Sequence, residues 1–363
     1  MRRIQIAALV ASLVVFPVGA GAQERSPVPE RRAVLVEGVD FYGSDLRAIF
    51  DVGFDACEAA CLADVACKAF TFNSRSGSCF PKSAVSEEQP YQGALSGWIR
   101  GTDPAVLAAA GTRAAELSFL RPEDFDAALA QARGLGARHV TGTATEAELL
   151  AAARAAGVAG DLAGVADHLG AALNLSDAAD QWAEYSAALL AIRSDDSERQ
   201  RDLAGRAASA SVNAYLRAGS TGLRATALAT LAHAFERVER GRDMIPALRL
   251  AQDLQPRDDT AAALDDAIGK YGFRIAETQV ESDSASPRIC AVFTEDLVRA
   301  GTDYAPFVKL PAPNLSVDAS GRQICVTGVE HGSRYALTFR AGLPAATGET
   351  LAKDVTVTQY VRI

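Results

Sequence analysis

The chain has 363 residues, 49% of them hydrophobic, and a formal net charge of −9 at pH 7. That acidic balance excludes nucleic acid as a natural partner, because phosphate binding requires a basic footprint. The four histidines are scattered at 139, 168, 233 and 331, and no G-x-S-x-G, H-E-x-x-H or P-loop string occurs. The chain therefore reads as a non-enzyme with no cofactor and no catalytic or metal-binding residues.

Residues 1–22, MRRIQIAALVASLVVFPVGAGA, read as a secretory signal peptide. Arg2 and Arg3 form its basic region, Ile4 to Val18 its apolar region, and Ala20-Gly21-Ala22 a cleavage site before Gln23. The apolar run is shorter than the roughly 20 residues of a membrane span. No later stretch is long enough to span, and no cysteine stands at the cleavage point to carry a lipid. The expected location is the periplasm or the outside of the cell, where disulfides persist. Losing Arg2 and Arg3 takes the net charge from −9 to −11. The remaining chain is long enough for two or three domains. Its composition changes twice, with residues 104–270 rich in alanine, leucine, arginine and acids, and residues 287–363 rich in valine, threonine, glycine and proline. Expected linkers are Arg25–Arg32, Arg100–Pro104 and Glu281–Pro287.

Four of the six cysteines, Cys57, Cys61, Cys67 and Cys79, crowd into DACEAACLADVACKAFTFNSRSGSC. Cys57 and Cys61 share one face of a short predicted helix capped by Asp55. KAFTFN alternates like a strand, and SRSGS reads as a turn. A helix offering two sulfurs to adjacent strands predicts nested disulfides, Cys57–Cys79 and Cys61–Cys67. Zinc is the rival, but the x3, x5 and x11 spacings and the lack of histidine before His139 fit it poorly. Together with Gly38-Val-Asp-Phe-Tyr-Gly43, Phe70, Phe72, Lys82 and Ser96-Gly97-Trp98, the cluster makes residues 33–101 resemble an apple or PAN module. The resemblance implies a helix packed across a small curved antiparallel sheet, with proteins or glycans bound through variable loops. Bridges compensate for a core too small to hold about 70 residues alone, each contributing roughly 2–3.5 kcal/mol. Phe70, Phe72 and Trp98 read as core.

Residues 104–274 read as an α-helical repeat region. TEAELLAAARAAG, AGDLAGVADHLGAALNL, ADQWAEYSAALLAIR and TALATLAHAFERVERG carry apolar residues at helical spacing between short polar breaks. Leu228, Leu231, Ala232, Phe235, Leu248, Ala251 and Pro256 resemble one tetratricopeptide unit, with Met244 where that repeat has alanine. No second copy stands 34 residues earlier, so an irregular solenoid is expected. It reads as a spacer, with a peptide-holding concave face as the alternative. The pairs Asp195-Asp196 and Asp258-Asp259 fall at predicted helix starts, where they favour the helix dipole. His233 is expected on a packed helix and His331 in a turn.

Residues 287–363 alternate strand-like runs with turns and read as a β-sandwich, with ASGR and EHGS as hairpin-type turns and Cys290–Cys325 tying two strands. The run Ile324-Cys-Val-Thr-Gly-Val-x-His331-Gly-x-x-Tyr335, followed by Arg340-Ala-Gly-Leu-Pro344-x3-Gly348-Glu349-x-Leu351, looks like the first macroglobulin domain of bacterial alpha-2-macroglobulins. An apple module and a helical segment ahead of that domain fit a subset of the family. The resemblance implies the N-terminal scaffold and recognition part of a secreted endopeptidase inhibitor, whose full-length form meets proteases. The C-x-E-Q thioester motif is absent, Glu87-Glu88-Gln89 lacking the cysteine, and there is no room for a bait region. The last domain reads as truncated at Ile363, within what the family continues as a strand. The alternative is a stand-alone periplasmic apple-domain protein that binds a protein or a cell-wall glycan.

Overall fold

The computed structural model describes residues 26–298 and 301–363. The expected signal segment, with its cleavage point at Ala22 and Gln23, lies outside these residues. Three units follow one another along the chain.

The first unit comprises β1 (Arg31–Asp45), α1 (Phe54–Ala63), β2 (Ala69–Asn73) and β3 (Ser78–Gly101). The long β3 serves twice. Its last third pairs with the start of β1, Leu35 opposite Gly97, and its middle pairs with the end of β1, Phe41 opposite Glu88. β2 lies along both arms of β3, so that Phe70 is opposite Pro81 and Gly97. The sheet thereby curls around one small core of Ala33, Leu35, Phe70, Phe72 and the four cysteines. Gly38, with φ +74°, stands at a register shift of β1 that helps the bend. A Cβ at Gly97 would stand 2.5 Å from the Phe70 ring, so only glycine leaves that ring its place. Helix α1 starts two residues earlier than the expected cap implies. Gly53 is its N-cap, and Asp55 lies inside the first turn, facing the helix dipole instead of capping it.

The helical region contains α2 (Pro104–Glu116), α3 (Pro122–Arg138), α4 (Glu146–Ala159), α5 (Leu162–Ser176), α6 (Ala179–Ala191), α7 (Ser197–Arg217), α8 (Thr221–Arg237), α9 (Met244–Leu254) and α10 (Asp258–Tyr271). Side chains of Asp103, Thr145, Asp161, Asp196 and Ser220 accept hydrogen bonds from first-turn amides, which explains where five of these helices begin. Alanines allow close approach, while Trp182, Tyr185, Tyr215 and Phe235 fill the gaps. The tetratricopeptide-like unit is the α8–α9 pair, and Leu228, Leu231, Ala232, Phe235, Leu248 and Ala251 are all buried there. Asp196 caps α7, and Asp258 and Asp259 open α10, as their positions suggested. Among the described residues no helix is long and apolar enough to cross a membrane.

The last unit contains β4 (Ile275–Glu281), β5 (Arg288–Phe293), β6 (Val308–Lys309), β7 (Ser316–Ser320), β8 (Gln323–Thr327), β9 (Arg334–Phe339) and β10 (Val355–Tyr360). Two sheets, ordered β4-β5-β8-β7 and β10-β9-β6, enclose a single core centred on Phe293, Ile324, Val326, Leu337 and Phe339. Three expectations change here. β4 pairs with β5, so Glu281–Pro287 is a hairpin loop inside this unit, and the boundary precedes Ile275 instead of falling at 287. ASGR does turn β7 into β8, but EHGS carries the chain from one sheet to the other. Gly328 and Gly332, at φ +85° and +76°, make that crossing.

The units are not beads on flexible linkers. Arg32, expected in a linker, lies in β1 and reaches into the helical region. Its guanidinium donates to the Asn174 carbonyl and, at 3.3 Å, to the Leu175 carbonyl, with Nε 3.9 Å from Asp177 Oδ2. Asp177 Oδ1 also accepts from Arg217 Nε and Trp182 Nε1, each at 2.9 Å. All three charged side chains are at least nine-tenths buried. At the other junction, Arg242 pairs with Glu295 and Glu349, both at 3.2 Å.

Candidate functional site

The sulfurs form three disulfides, Cys57–Cys79, Cys61–Cys67 and Cys290–Cys325, with Cα separations of 5.4, 5.3 and 4.0 Å. The first ties α1 to the start of β3, and the second ties it to the segment just before β2. A buried polar chain adds to this frame. Thr71 Oγ1 accepts from the Phe41 amide at 3.0 Å and shares a proton with Ser96 Oγ at 2.8 Å, and Ser96 in turn donates to the Val39 carbonyl at 2.7 Å. Phe70 is fully buried and Phe72 nearly so, but Trp98 is only half-buried, against Phe41 at 4.9 Å.

Such a frame holds its connecting loops still. Three segments line up at one end of the sheet: residues 49–52 ahead of α1, the turn between β2 and β3, and residues 91–93 within β3. The Val52 amide donates to the Gly77 carbonyl at 3.0 Å, and the Ser74 amide donates to the Gly93 carbonyl at 2.9 Å. Asn73 Oδ1 closes the central turn by accepting from the amides of Arg75 and Ser76. Asp51, Gly77 and Gly93 adopt positive φ at this end of the sheet. On this end Phe50 is 64% exposed and Tyr91 38% exposed. The Arg75 guanidinium lies over the Tyr91 ring, 5.9 Å from its centroid, and donates to Gln92 Oε1 at 3.2 Å. The missing Cβ of Gly93 makes room for the Arg75 stem, which passes 3.2 Å from where it would stand.

This arrangement has no nucleophile with a base and no set of metal ligands. It has aromatic faces, a guanidinium, a primary amide and the exposed Asp51 carboxylate, which are groups that recognise and hold. Half-buried Glu58 on α1 is the one carboxylate of the unit with a markedly raised pKa; burial, with help from Asp55, pushes it up to about 7.

The histidines do not come together. His139 ends α3, buried, with Nε2 2.9 Å from the Tyr185 hydroxyl. His168 lies on α5, His233 is solvent-exposed on α8, and His331 sits in the EHGS turn with Nδ1 2.7 Å from the Arg362 carbonyl. Sequence reasoning passed over Phe50, Arg75, Tyr91 and Gln92, whose only signal was aromatic residues placed beside turn-forming ones.

The PAN domain family matches residues 32–97, and that segment of the chain is a PAN domain. A maize (Zea mays) protein described as receptor protein kinase ZmPK1 is 33% identical over 60 residues, which is 16% of this chain and 7% of the maize protein. The chain thus spans a small part of that relative's length, with the likeness confined to one module. No solved structure matches the chain.

Proposed function

We propose that this chain is the recognition and scaffold segment of a secreted protein, with the PAN domain as its ligand-binding head. The observation that carries this reading is the disulfide-bolted PAN frame, which is anchored on the helical region through buried Arg32. The three disulfides favour an oxidising compartment, the periplasm or the exterior. The helical region is a rigid mount that sets the distance between the PAN domain and the two-sheet unit. The test is to immobilise the oxidised full chain and measure binding to purified envelope glycans and to a panel of exported proteins. Saturable binding of either class is expected; retention of neither at high micromolar concentration would overturn the reading.

A second, more specific reading is that the segment belongs to an alpha-2-macroglobulin-type endopeptidase inhibitor. What favours it is the role of the GLPAATGE stretch, which carries most of that resemblance. Leu343 and Leu351 are buried in the two-sheet core. Glu349 accepts from the Phe273 amide at 3.0 Å and pairs with Arg242, tying the sheets to the helices. This segment alone is expected to leave trypsin active. Antibodies raised against it, used on the source cells, should detect a much larger protein that forms adducts with added trypsin. A species no larger than this chain, with no adduct, would eliminate the inhibitor reading.

A further inference from the structure

We propose that α2 and α3 form the contact surface of a two-fold dimer of this chain, in which α3 of each copy lies antiparallel to α3 of the other. The proposal concerns the helical region and goes beyond the recognition role. Both helices pack against α7 rather than closely against each other, which leaves a groove of about 780 Å³ between them. Phe125 and Leu129 of α3 and Leu107 of α2 line it and are only half-buried. On α2 the lining continues through exposed Ala108, Gly111 and Ala115, so nothing bulky stands on that wall. On α3, Phe125, Leu129 and Arg133 recur every fourth position, so the groove follows about two turns of that helix. An apolar groove of this form takes the side of another helix.

Charge names the occupant. Asp126 and Arg133 stand on the groove side of α3, both exposed and neither with an ion-pair partner among the described residues. Two helical turns separate them, so they share one line along α3, about 10 Å apart. An unrelated helix needs a basic and an acidic residue at the matching spacing. A second α3, antiparallel and with the two-fold axis between Leu129 and Ala130, brings both by symmetry. Asp126 then faces the partner's Arg133, and Arg133 faces the partner's Asp126. An in-register parallel α3 places like charges together, which is unfavourable. Entry into the groove requires a slim helix. Ala127, Ala130 and Gly134 are exposed on α3, and nothing stands within 4 Å of where a Cβ of Gly134 would be. Each α3 therefore fits the groove of the other copy. The dimer carries two PAN domains on one mount, so two weak contacts of these domains act together.

The experiment is sedimentation equilibrium of the oxidised full chain. Wild type is compared with Asp126→Arg, with Arg133→Asp, with the variant carrying both changes, and with an equimolar mixture of the two single variants. Wild type and the double variant are expected to dimerise. Each single variant is expected to associate tenfold or more weakly, and the mixture to recover association within threefold of wild type. Recovery in the mixture also shows that the single variants are folded. A wild type that stays monomeric at high micromolar concentration overturns the proposal. A dimer that neither single variant weakens also overturns it, because the contact surface then lies elsewhere. A mixture that fails to recover overturns it too, because Asp126 and Arg133 then do not face each other.

Discussion

His139 is held against Tyr185 and α5, where Gly170 leaves its ring room by lacking a Cβ. Burial lowers its pKa from 6.5 to about 4, opposed by Asp167 and reinforced by Arg206 and Arg138. Asp167 is mostly exposed and 4.0 Å away, so it offsets little of the burial. A base with a lowered folded pKa binds its proton more readily when unfolded. Stability is therefore complete above pH 6.5 and falls as pH drops toward 4, by about 3 kcal/mol in all. Urea denaturation at pH 7.5 and 4.5 should show this loss in the wild type, and His139→Gln should remove most of it. Glu58 works in the opposite sense. Its raised pKa, near 7, means that the folded PAN domain holds a proton the unfolded chain releases. Its contribution is most favourable at acidic pH and is lost as pH rises from about 4.5 through 7. Glu58→Gln should raise the melting temperature of the PAN domain at pH 8 and leave it nearly unchanged at pH 4; a lower value at pH 8 would show that the ionised carboxylate has a partner that stabilises it.

Single elements carry two further tests. β3 reaches across the PAN core only because Gly97 has no side chain. A methyl group there would stand 2.5 Å from Phe70 Cε1 and 2.9 Å from Leu35 Cδ2. Gly97→Ala should cost about 1–3 kcal/mol by overpacking, read as a lower denaturation midpoint of this domain while α2–α10 keep theirs. In the last unit Cys290 and Cys325 are direct partners across β5 and β8, closing a loop with a sequence separation of 35. The chain-entropy account assigns such a bridge about 3–4 kcal/mol. Reduction should then expose residues 275–363 to hydrogen exchange before the helical region, which holds no cysteine. Equal protection with and without reductant would show that the two-sheet core of Phe293 and Phe339 needs no bridge.

At the scale of the whole molecule, the PAN domain and the helices are locked by two buried arginines around one carboxylate. Burial lowers the pKa of both Arg32 and Arg217, and Asp177 opposes that shift in each. Removing the carboxylate leaves two uncompensated buried cations. Asp177 has φ +55°, a conformation asparagine adopts readily, so Asp177→Asn changes charge with little change of backbone. The expected cost is about 3–5 kcal/mol, accompanied by faster exchange where the Thr141 amide donates to the Leu35 carbonyl across the junction at 3.1 Å. Unaltered exchange there would mean that the helix–sheet contact of Gly136 with the Ala33 carbonyl holds the units unaided.

Local chemistry made much of this molecule legible from its residues. Cysteines four apart on a helix share one face, and that face meets the chain where Cys67 and Cys79 pass. Asp196 announces a helix start because its side chain satisfies amides two and three residues on. Alternation in Tyr335–Phe339 and Val355–Val357 marked β9 and β10 because one face of each is buried. Tertiary structure alone decided the rest. Arg32 in a polar stretch reads as linker until Asp177, 145 positions away in sequence, is brought beside it. Glu281–Pro287 reads as a boundary until β4 pairs with β5, and EHGS reads as a hairpin until its flanking strands join different sheets. His139 has an ordinary sequence context and becomes a buried neutral base only when α5 and α6 close over it. Arg75 lies in the turn between β2 and β3 and Tyr91 far along β3, and only the curl of β3 around the PAN core makes them neighbours. Spacing along the chain encodes contacts within a turn or a hairpin; contacts between distant segments depend on the packing of the whole core, which no local pattern records.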